Sequence, residues 1–185
     1  MGQKILAIDD ELHMLKLLER IVNEKTPYHI TTLNNSLGLP DLLENNEFDL
    51  IITDLKMPGM DGLDVLEHVR KNNRMEEVII ITAFGSLETA TDAMEKGVFD
   101  YITKPFKKEQ ITGTIDRAMR WMECKRKTEC MTNIFDSDTY EIALEKFKTV
   151  YIKKAYEKHG NNIEETSSKT QIPIDEIKKV ITGLE

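Results

Sequence analysis

Five polar side chains in the first two thirds of the chain come directly after short apolar segments: Asp9 and Asp10, Asp54, Thr82 and Lys104. If those segments are strands of one parallel sheet, their carboxyl ends share an edge and these side chains converge there. Carboxylates about 4 Å apart repel by roughly 4 kcal/mol at an effective dielectric near 20, so three acids beside one lysine need a cation. Hard oxygen ligands suit Mg²⁺, which can neutralise an incoming phosphoryl group while lysine and threonine contact its oxygens.

The elements that must position these residues alternate between strand and helix. Apolar runs predict five strands, at 4–8, 28–33, 50–53, 78–82 and 99–103. Apolar spacing and capping residues predict helices between them, at 12 to about 24, 40–45, after Asp61 and at 88–96. A fifth helix is predicted through 111–122, with a loosely placed end that could extend to about 127. Five such alternations predict a doubly wound parallel sheet over residues 1–122.

Composition narrows the function classes. The chain has 185 residues, 40% of them hydrophobic, enough for one domain and a small appendage. A net charge of −8 argues against a general polyanion binder, although a local basic face is compatible with it. No apolar run reaches the length of a membrane span or a signal peptide. Cys124 and Cys130 lack metal-site or redox-motif spacing, so we expect thiols in a reducing cytoplasm.

Four motifs in this order resemble the receiver domain of two-component response regulators. They are Ile8-Asp9-Asp10-Glu11, Ile52-Thr53-Asp54-Leu55-Lys56-Met57-Pro58-Gly59-Met60-Asp61-Gly62, Ile81-Thr82-Ala83 and Tyr101-Ile102-Thr103-Lys104-Pro105-Phe106. The resemblance implies a flavodoxin-like sheet of order 2-1-3-4-5. It also implies a protein that assists its own phosphoryl transfer and has no separate substrate.

The resemblance further implies the chemistry at Asp54. This residue would be the phosphoacceptor, attacking a phosphohistidine of a sensor histidine kinase. Asp10, Asp54 and the backbone carbonyl of Lys56 would bind Mg²⁺, and Asp9 would act through a bound water. The purely structural alternative is that Asp9 and Asp10 only cap the first helix.

The remaining receiver positions would transmit or tune the signal. Thr82 would bond a phosphoryl oxygen, Lys104 would pair with the phosphoryl group across a cis Lys104–Pro105 bond, and Tyr101 would turn inward as an aromatic switch. Thr82 and Tyr101 could instead be ordinary packing residues of their strands. Phe84, two residues after Thr82, should shield the phosphoryl group from water and prolong its lifetime.

A polar, locally basic segment separates this domain from a helical tail. We predict a linker at 123–137 with a break at Thr132-Asn133, and a tail at 138–185 whose long first helix is capped by Asp138. A turn at Gly160-Asn161-Asn162, a short helix at 163–170 and a last helix from Pro173 follow. About 50 residues cannot cover so wide an apolar stripe, which favours a homodimer.

Three segments of the tail are Phe147-Lys148-Thr149-Val150-Tyr151-Ile152-Lys153-Lys154-Ala155-Tyr156, Gly160-Asn161-Asn162-Ile163 and Gln171-Ile172. They resemble the Fis-type helix-turn-helix of nitrogen-regulation-type response regulators, without the central ATPase domain of that family. Thr166, Ser167 and Gln171 replace that family's paired alanines and turn glycine, and Ile174, Asp175 and Glu176 replace its basic positions. Residues 136–185 carry eight lysines, no arginine and ten acids, a net charge of −2. Lys169, Lys178 and Lys179 could still contact a DNA backbone. Three functions stay open: DNA binding by the tail, protein docking or dimerisation by the tail, and a phosphate relay in which the receiver has no output of its own.

Overall fold

The computed structural model describes residues 3–72 and 74–183. Five parallel strands form one sheet in the order β2-β1-β3-β4-β5, which confirms the predicted fold. The strands are β1 (Lys4–Ile8), β2 (His29–Leu33), β3 (Leu50–Asp54), β4 (Glu77–Thr82) and β5 (Asp100–Thr103). Each predicted strand is present, and each boundary lies within one residue of its predicted place.

Helices cover both faces of the sheet. They are α1 (Leu12–Lys25), α2 (Leu39–Asn45), α3 (Gly62–Lys71), α4 (Leu87–Glu95) and α5 (Lys108–Phe135), with a 3-10 turn at Ser36–Gly38. Successive strand residues face opposite sides: Ile5 and Ala7 pack with α1 and α5, whereas Leu6 and Ile8 pack with α2, α3 and α4. This two-sided burial explains why the central strands are continuous apolar runs.

Helix caps fix where the chain turns away from the sheet edge. The Asp61 carboxylate accepts hydrogen bonds from the Leu63 and Asp64 amides at the start of α3. The Ser86 hydroxyl accepts one from the Thr89 amide at the start of α4. Both residues satisfy amides that no helical carbonyl can reach.

The predicted break at Thr132-Asn133 is wrong, because α5 continues to Phe135 through most of the predicted linker at 123–137. This segment contains no Gly or Pro, and its Glu, Lys, Arg and Met residues favour helix. Its apolar periodicity fades because periodicity reports burial and not helicity. The chain divides into two compact units, and the division falls after Lys125.

The second unit is helical. It contains the end of α5 and three further helices, α6 (Tyr140–Lys158), α7 (Ile163–Thr170) and α8 (Ile174–Thr182). Thr139, not the predicted Asp138, caps α6 by accepting from the Ile142 amide. Ile152 and Ile177 are fully buried, whereas Phe147 and Tyr151 remain about half exposed. No helix within the described residues is long and apolar enough to cross a membrane.

Candidate functional site

Side chains from the ends of β1 and β3 and from the residue after β5 meet at one edge of the sheet. The Lys104 ammonium donates a hydrogen bond to Asp54 Oδ1 at 2.7 Å and another to Asp9 Oδ2 at 3.1 Å. Both carboxylates are buried, and the lysine side chain is only 14% exposed. The predicted convergence of these three residues is confirmed. The Lys104–Pro105 peptide bond is cis, as the resemblance implied.

Backbone amides hold the other carboxylate oxygens. The Glu11 amide donates to Asp9 Oδ1 at 2.8 Å, and the Lys56 amide donates to Asp54 Oδ2 at 2.7 Å. Each carboxylate therefore has one oxygen on the backbone and one on the shared amine. This arrangement fixes the orientation of both acids.

Negative charge exceeds positive charge at this edge. Burial raises the pKa of the Asp9 carboxyl above its usual 3.8, and the Asp54 charge adds to the effect despite the opposing hydrogen bonds from Glu11 and Lys104. Burial alone would lower the pKa of the Lys104 amine, but hydrogen bonds and attraction from Asp54 and Asp9 outweigh it and raise that pKa. Lys104 therefore stays protonated, and one amine does not compensate both buried acids.

Asp10 does not join the buried group. Its side chain is exposed at the bend that follows β1, whereas Asp9 is buried. Across residues 3–72 and 74–183, no three acidic, histidine or cysteine side chains are grouped so as to hold a metal ion. Exposure alone does not decide whether Asp10 binds the ion, so its role as an Mg²⁺ ligand stays a prediction. The donor chemistry still fits Mg²⁺, since the buried acids are hard oxygen ligands short of positive charge.

The loop after β3 carries Lys56 past Asp54. It closes at its base with a hydrogen bond from the Gly62 amide to the Leu55 carbonyl at 2.9 Å. A Cβ on Gly62 would lie 2.5 Å from the Asp54 carbonyl oxygen, so glycine is needed for this close approach.

Thr82 ends β4 beside the end of β3 that carries Asp54, and Phe84 follows it in the loop. Thr82 is fully buried, and its hydroxyl accepts from the Phe84 amide at 3.0 Å. The Phe84 side chain is 70% exposed. Both positions are compatible with their predicted roles, which stay predictions.

Tyr101 is half-buried and packs on the core beneath α4. Its hydroxyl lies 3.0 Å from Thr89 Oγ1. A Cβ on Gly85 would lie 2.8 Å from Thr103 Cγ2, so this glycine allows the loop after β4 to approach β5 closely. The sequence did not identify Thr89 as its partner, because nothing local marks that contact.

The tail residues proposed for DNA contact are all on the surface. Lys169 lies near the end of α7, and Lys178 and Lys179 lie on α8. Gln171, between these helices, adopts a left-handed conformation with φ of 60°, a region that favours glycine. The polar replacements are satisfied: Thr166 donates to the Asn162 carbonyl at 2.6 Å and Ser167 to the Ile172 carbonyl at 2.7 Å.

A doubly wound five-stranded sheet with acids and a lysine at its carboxyl edge defines a flavodoxin-like α/β domain whose site lies at the switch point. Residues 5–116 match the family described as response regulator receiver domain. The chain therefore belongs to the response regulator receiver family, and this part is the receiver domain of a two-component response regulator.

Individual relatives resemble the receiver part. The chain is 32% identical to sporulation initiation phosphotransferase F of Bacillus subtilis over 117 residues, covering 63% of this chain and 94% of that protein. It is 34% identical to response regulator protein PilR of Pseudomonas aeruginosa over 118 residues, covering 64% of this chain and 26% of PilR. It likewise spans 24% of the DNA-binding transcriptional regulator NtrC of Escherichia coli. The chain thus spans about a quarter of the length of PilR and NtrC.

Solved structures agree on the fold. A response regulator receiver domain protein from Clostridium thermocellum is 34% identical, with a TM-score of 0.61 over 66% of this chain and 98% of that one. The signal receiver domain of a LuxO repressor protein from Vibrio parahaemolyticus is 27% identical, with a TM-score of 0.67 over 70% of this chain and 98% of that one.

Proposed function

We propose that the receiver is phosphorylated on Asp54 by a sensor histidine kinase and that this modification switches an output of the tail. The observation that carries this proposal is the Lys104 amine, which bridges Asp54 and Asp9 at 2.7 and 3.1 Å in a buried acidic site. An acid held this way is preorganised for a reaction that brings negative charge to it.

In the proposed reaction, an Asp54 carboxylate oxygen attacks the phosphorus of a phosphohistidine. An acyl phosphate forms, the P–N bond breaks, and the histidine nitrogen leaves with the bonding electron pair. Lys104 compensates the phosphoryl charge, and the Thr82 hydroxyl becomes a hydrogen-bond donor to it after rotating away from the Phe84 amide. Asp9, Asp10, Asp54 and the Lys56 carbonyl would hold Mg²⁺, which when bound neutralises further phosphoryl charge.

Labelling with radioactive acetyl phosphate and Mg²⁺ tests this chemistry. The full chain should incorporate label, and Asp54→Asn should abolish it, since an amide cannot form the acyl phosphate. Asp41→Asn, an exposed acid on α2, is the matched control and should be labelled normally. Full labelling of Asp54→Asn would place the phosphoacceptor elsewhere.

For the tail, we propose self-association through an apolar stripe on α6. The stripe contains Tyr140, Leu144, Phe147 and Tyr151, at spacings of four, three and four, and all four side chains are exposed. The Phe147 and Tyr151 rings stack with centroids 6.2 Å apart. Such spacing places side chains on one helix face, where a second copy can cover them.

Sedimentation equilibrium of the full chain tests the dimer. Phe147→Lys should shift the chain toward monomer because it places a charge in the stripe. Lys153→Glu, an exposed charge change two residues beyond Tyr151 and on another face of α6, should leave the mass unchanged. A monomeric wild-type chain, with and without phosphorylation, would reject the stripe as a dimer surface.

The proposed output of the dimer is DNA binding through Lys169, Lys178 and Lys179, with protein docking as the alternative. The exposed lysines support DNA binding, whereas Asp175 and Glu176 in the first turn of α8 favour the alternative. A salt titration of binding to duplex DNA separates the two, because phosphate contacts weaken steeply with salt. If the chain has no affinity for duplex DNA at low salt, whether phosphorylated or not, DNA binding is excluded and protein docking remains.

A further inference from the structure

A buried serine in the turn after β2 contacts the loop that follows Asp54. Ser36 is 1% exposed, and its hydroxyl donates to the Pro58 carbonyl at 3.1 Å and accepts from the Met60 amide at 3.0 Å. The serine thus bridges two backbone groups on either side of one loop residue. Buried backbone groups need such partners, so the contact specifies where this loop lies.

The loop bends around the serine. Gly59, between the two bonded residues, has a φ of +89°, and a Cβ there would lie 2.8 Å from Leu37 Cγ. The loop backbone is therefore pressed against the 3-10 turn that carries Ser36. The turn is itself fixed, since the Asn35 side chain accepts from the Leu37 amide at 3.0 Å.

The same loop is fixed at its base beside the acids. The Gly62 amide bonds the Leu55 carbonyl at 2.9 Å, and the Lys56 amide bonds Asp54 Oδ2 at 2.7 Å. Lys56 lies between that base and the tip held by Ser36. A loop released at its tip would let the Lys56 backbone move relative to the Asp54 carboxylate.

We propose that Ser36 is a positioning residue for the Asp54 site: its hydroxyl holds the tip of loop 55–62 and thereby places the Lys56 backbone against Asp54. This inference rests on the function proposed above, because the same Lys56 backbone would supply the carbonyl ligand for Mg²⁺. Ser36 touches none of the reacting groups and acts only through the loop.

Ser36→Ala in the full chain removes both hydrogen bonds and tests the proposal. Without divalent ions, amide hydrogen exchange at Met60 should accelerate about tenfold, the value expected for losing roughly one net hydrogen bond, and the Lys56 amide resonance should shift. Mg²⁺ affinity, measured by following amide resonances, should fall by about the same factor, and acetyl phosphate labelling should slow. Glu44→Ala is the matched control, because it truncates an exposed side chain on the following helix α2 and leaves both hydrogen bonds.

Gly59→Ala provides a second route to the same loop. It forces a Cβ against Leu37 from the other side, so it should reproduce the Lys56 shift and the weaker Mg²⁺ binding. It decides the test if Ser36→Ala does not fold.

Accelerated Met60 exchange with an unchanged Lys56 resonance and unchanged Mg²⁺ affinity would overturn the proposal, because the serine would then stabilise the loop only locally. Failure of the proposed function is a different result. In that case the wild-type chain would neither bind Mg²⁺ nor be labelled, while the metal-free Lys56 resonance would still report on the Ser36 contact.

Discussion

Replacing Asp9 by the neutral isostere asparagine should stabilise the metal-free chain at pH 7. The two oxygens that share the Lys104 ammonium lie no more than about 6 Å apart, given its contacts at 2.7 and 3.1 Å. At an effective dielectric near 20, the repulsion between Asp9 and Asp54 is then about 3 kcal/mol, and the attraction between Asp9 and Lys104 is about 5 kcal/mol. Desolvation of a buried carboxylate costs several kcal/mol more. Repulsion and desolvation together exceed the attraction to Lys104, so Asp9→Asn should raise the free energy of unfolding by about 2 kcal/mol.

The pH dependence follows from the raised pKa of Asp9. Because this pKa is above 3.8 in the folded chain, the folded chain binds more protons than the unfolded chain over part of the acid range. The free energy of unfolding therefore falls as the pH rises from near 3.8 through the folded pKa. The advantage of Asp9→Asn should be complete above that window and vanish below it, where Asp9 is protonated in both states.

Urea and thermal unfolding at low salt without divalent ions measure the effect. An increase of about 2 kcal/mol corresponds to roughly 6–10 °C for a domain of this size. Asp10→Asn, an exposed acid beside it, should change stability by less than about 0.5 kcal/mol. Adding Mg²⁺ at ten times its Kd should stabilise wild type by about 1.4 kcal/mol and the Asp9 variant by less. A variant less stable than wild type at pH 7 would refute the reasoning, because attraction to Lys104 would then outweigh repulsion and desolvation.

Three further outcomes are expected. Phe84→Asn should shorten the lifetime of the phosphoryl group several-fold by admitting water, and an unchanged decay of the radiolabel would reject shielding by Phe84. Gln171→Gly should raise tail stability by about 0.5–1 kcal/mol, because its φ of 60° is strained for a side chain; a lower melting temperature for the tail would contradict this. Glu77→Gln should lower the free energy of unfolding, measured in urea, by about 2–4 kcal/mol. The buried Glu77 carboxylate accepts hydrogen bonds from Arg70, Lys125 and Trp121. Trp121 is the single tryptophan, so the fluorescence of the chain should change in the variant. Wild-type stability and fluorescence in Glu77→Gln would show that this network carries little energy.

Local pattern was sufficient for the receiver fold. A run such as Leu50-Ile51-Ile52 is stable only where both faces are buried, so each run predicted a central strand and the polar residue after it predicted the edge. Pattern failed in α5 beyond Lys125, where the helix loses its apolar stripe but keeps good helix formers. The apolar periodicity of a helix depends on what the helix packs against. It therefore cannot mark the end of a helix that continues beyond the hydrophobic core.

The candidate site, like the fold, could be predicted only in part from the sequence. Chain order fixed that Asp9, Asp54 and Lys104 reach one edge, because parallel strands all end there. The tertiary structure then decided that Asp9 is buried against Lys104 while Asp10 stays exposed. The Thr82 hydroxyl is likewise taken by the Phe84 amide, a contact that depends on the rotamer of a buried side chain.

The sequence by itself determined the order of strands and helices and the kinds of groups at the strand ends, since both follow from local hydrophobicity and turn residues. Only the tertiary structure decided which polar partners meet. Ser36 lies 22 and 24 residues from the groups it bonds. The Pro58-Gly59 pair predicts a turn there, but no local pattern around Ser36 predicts its contact with that turn. A hydrogen bond requires direction and distance to within a few tenths of an ångström, and packing of the whole domain sets both.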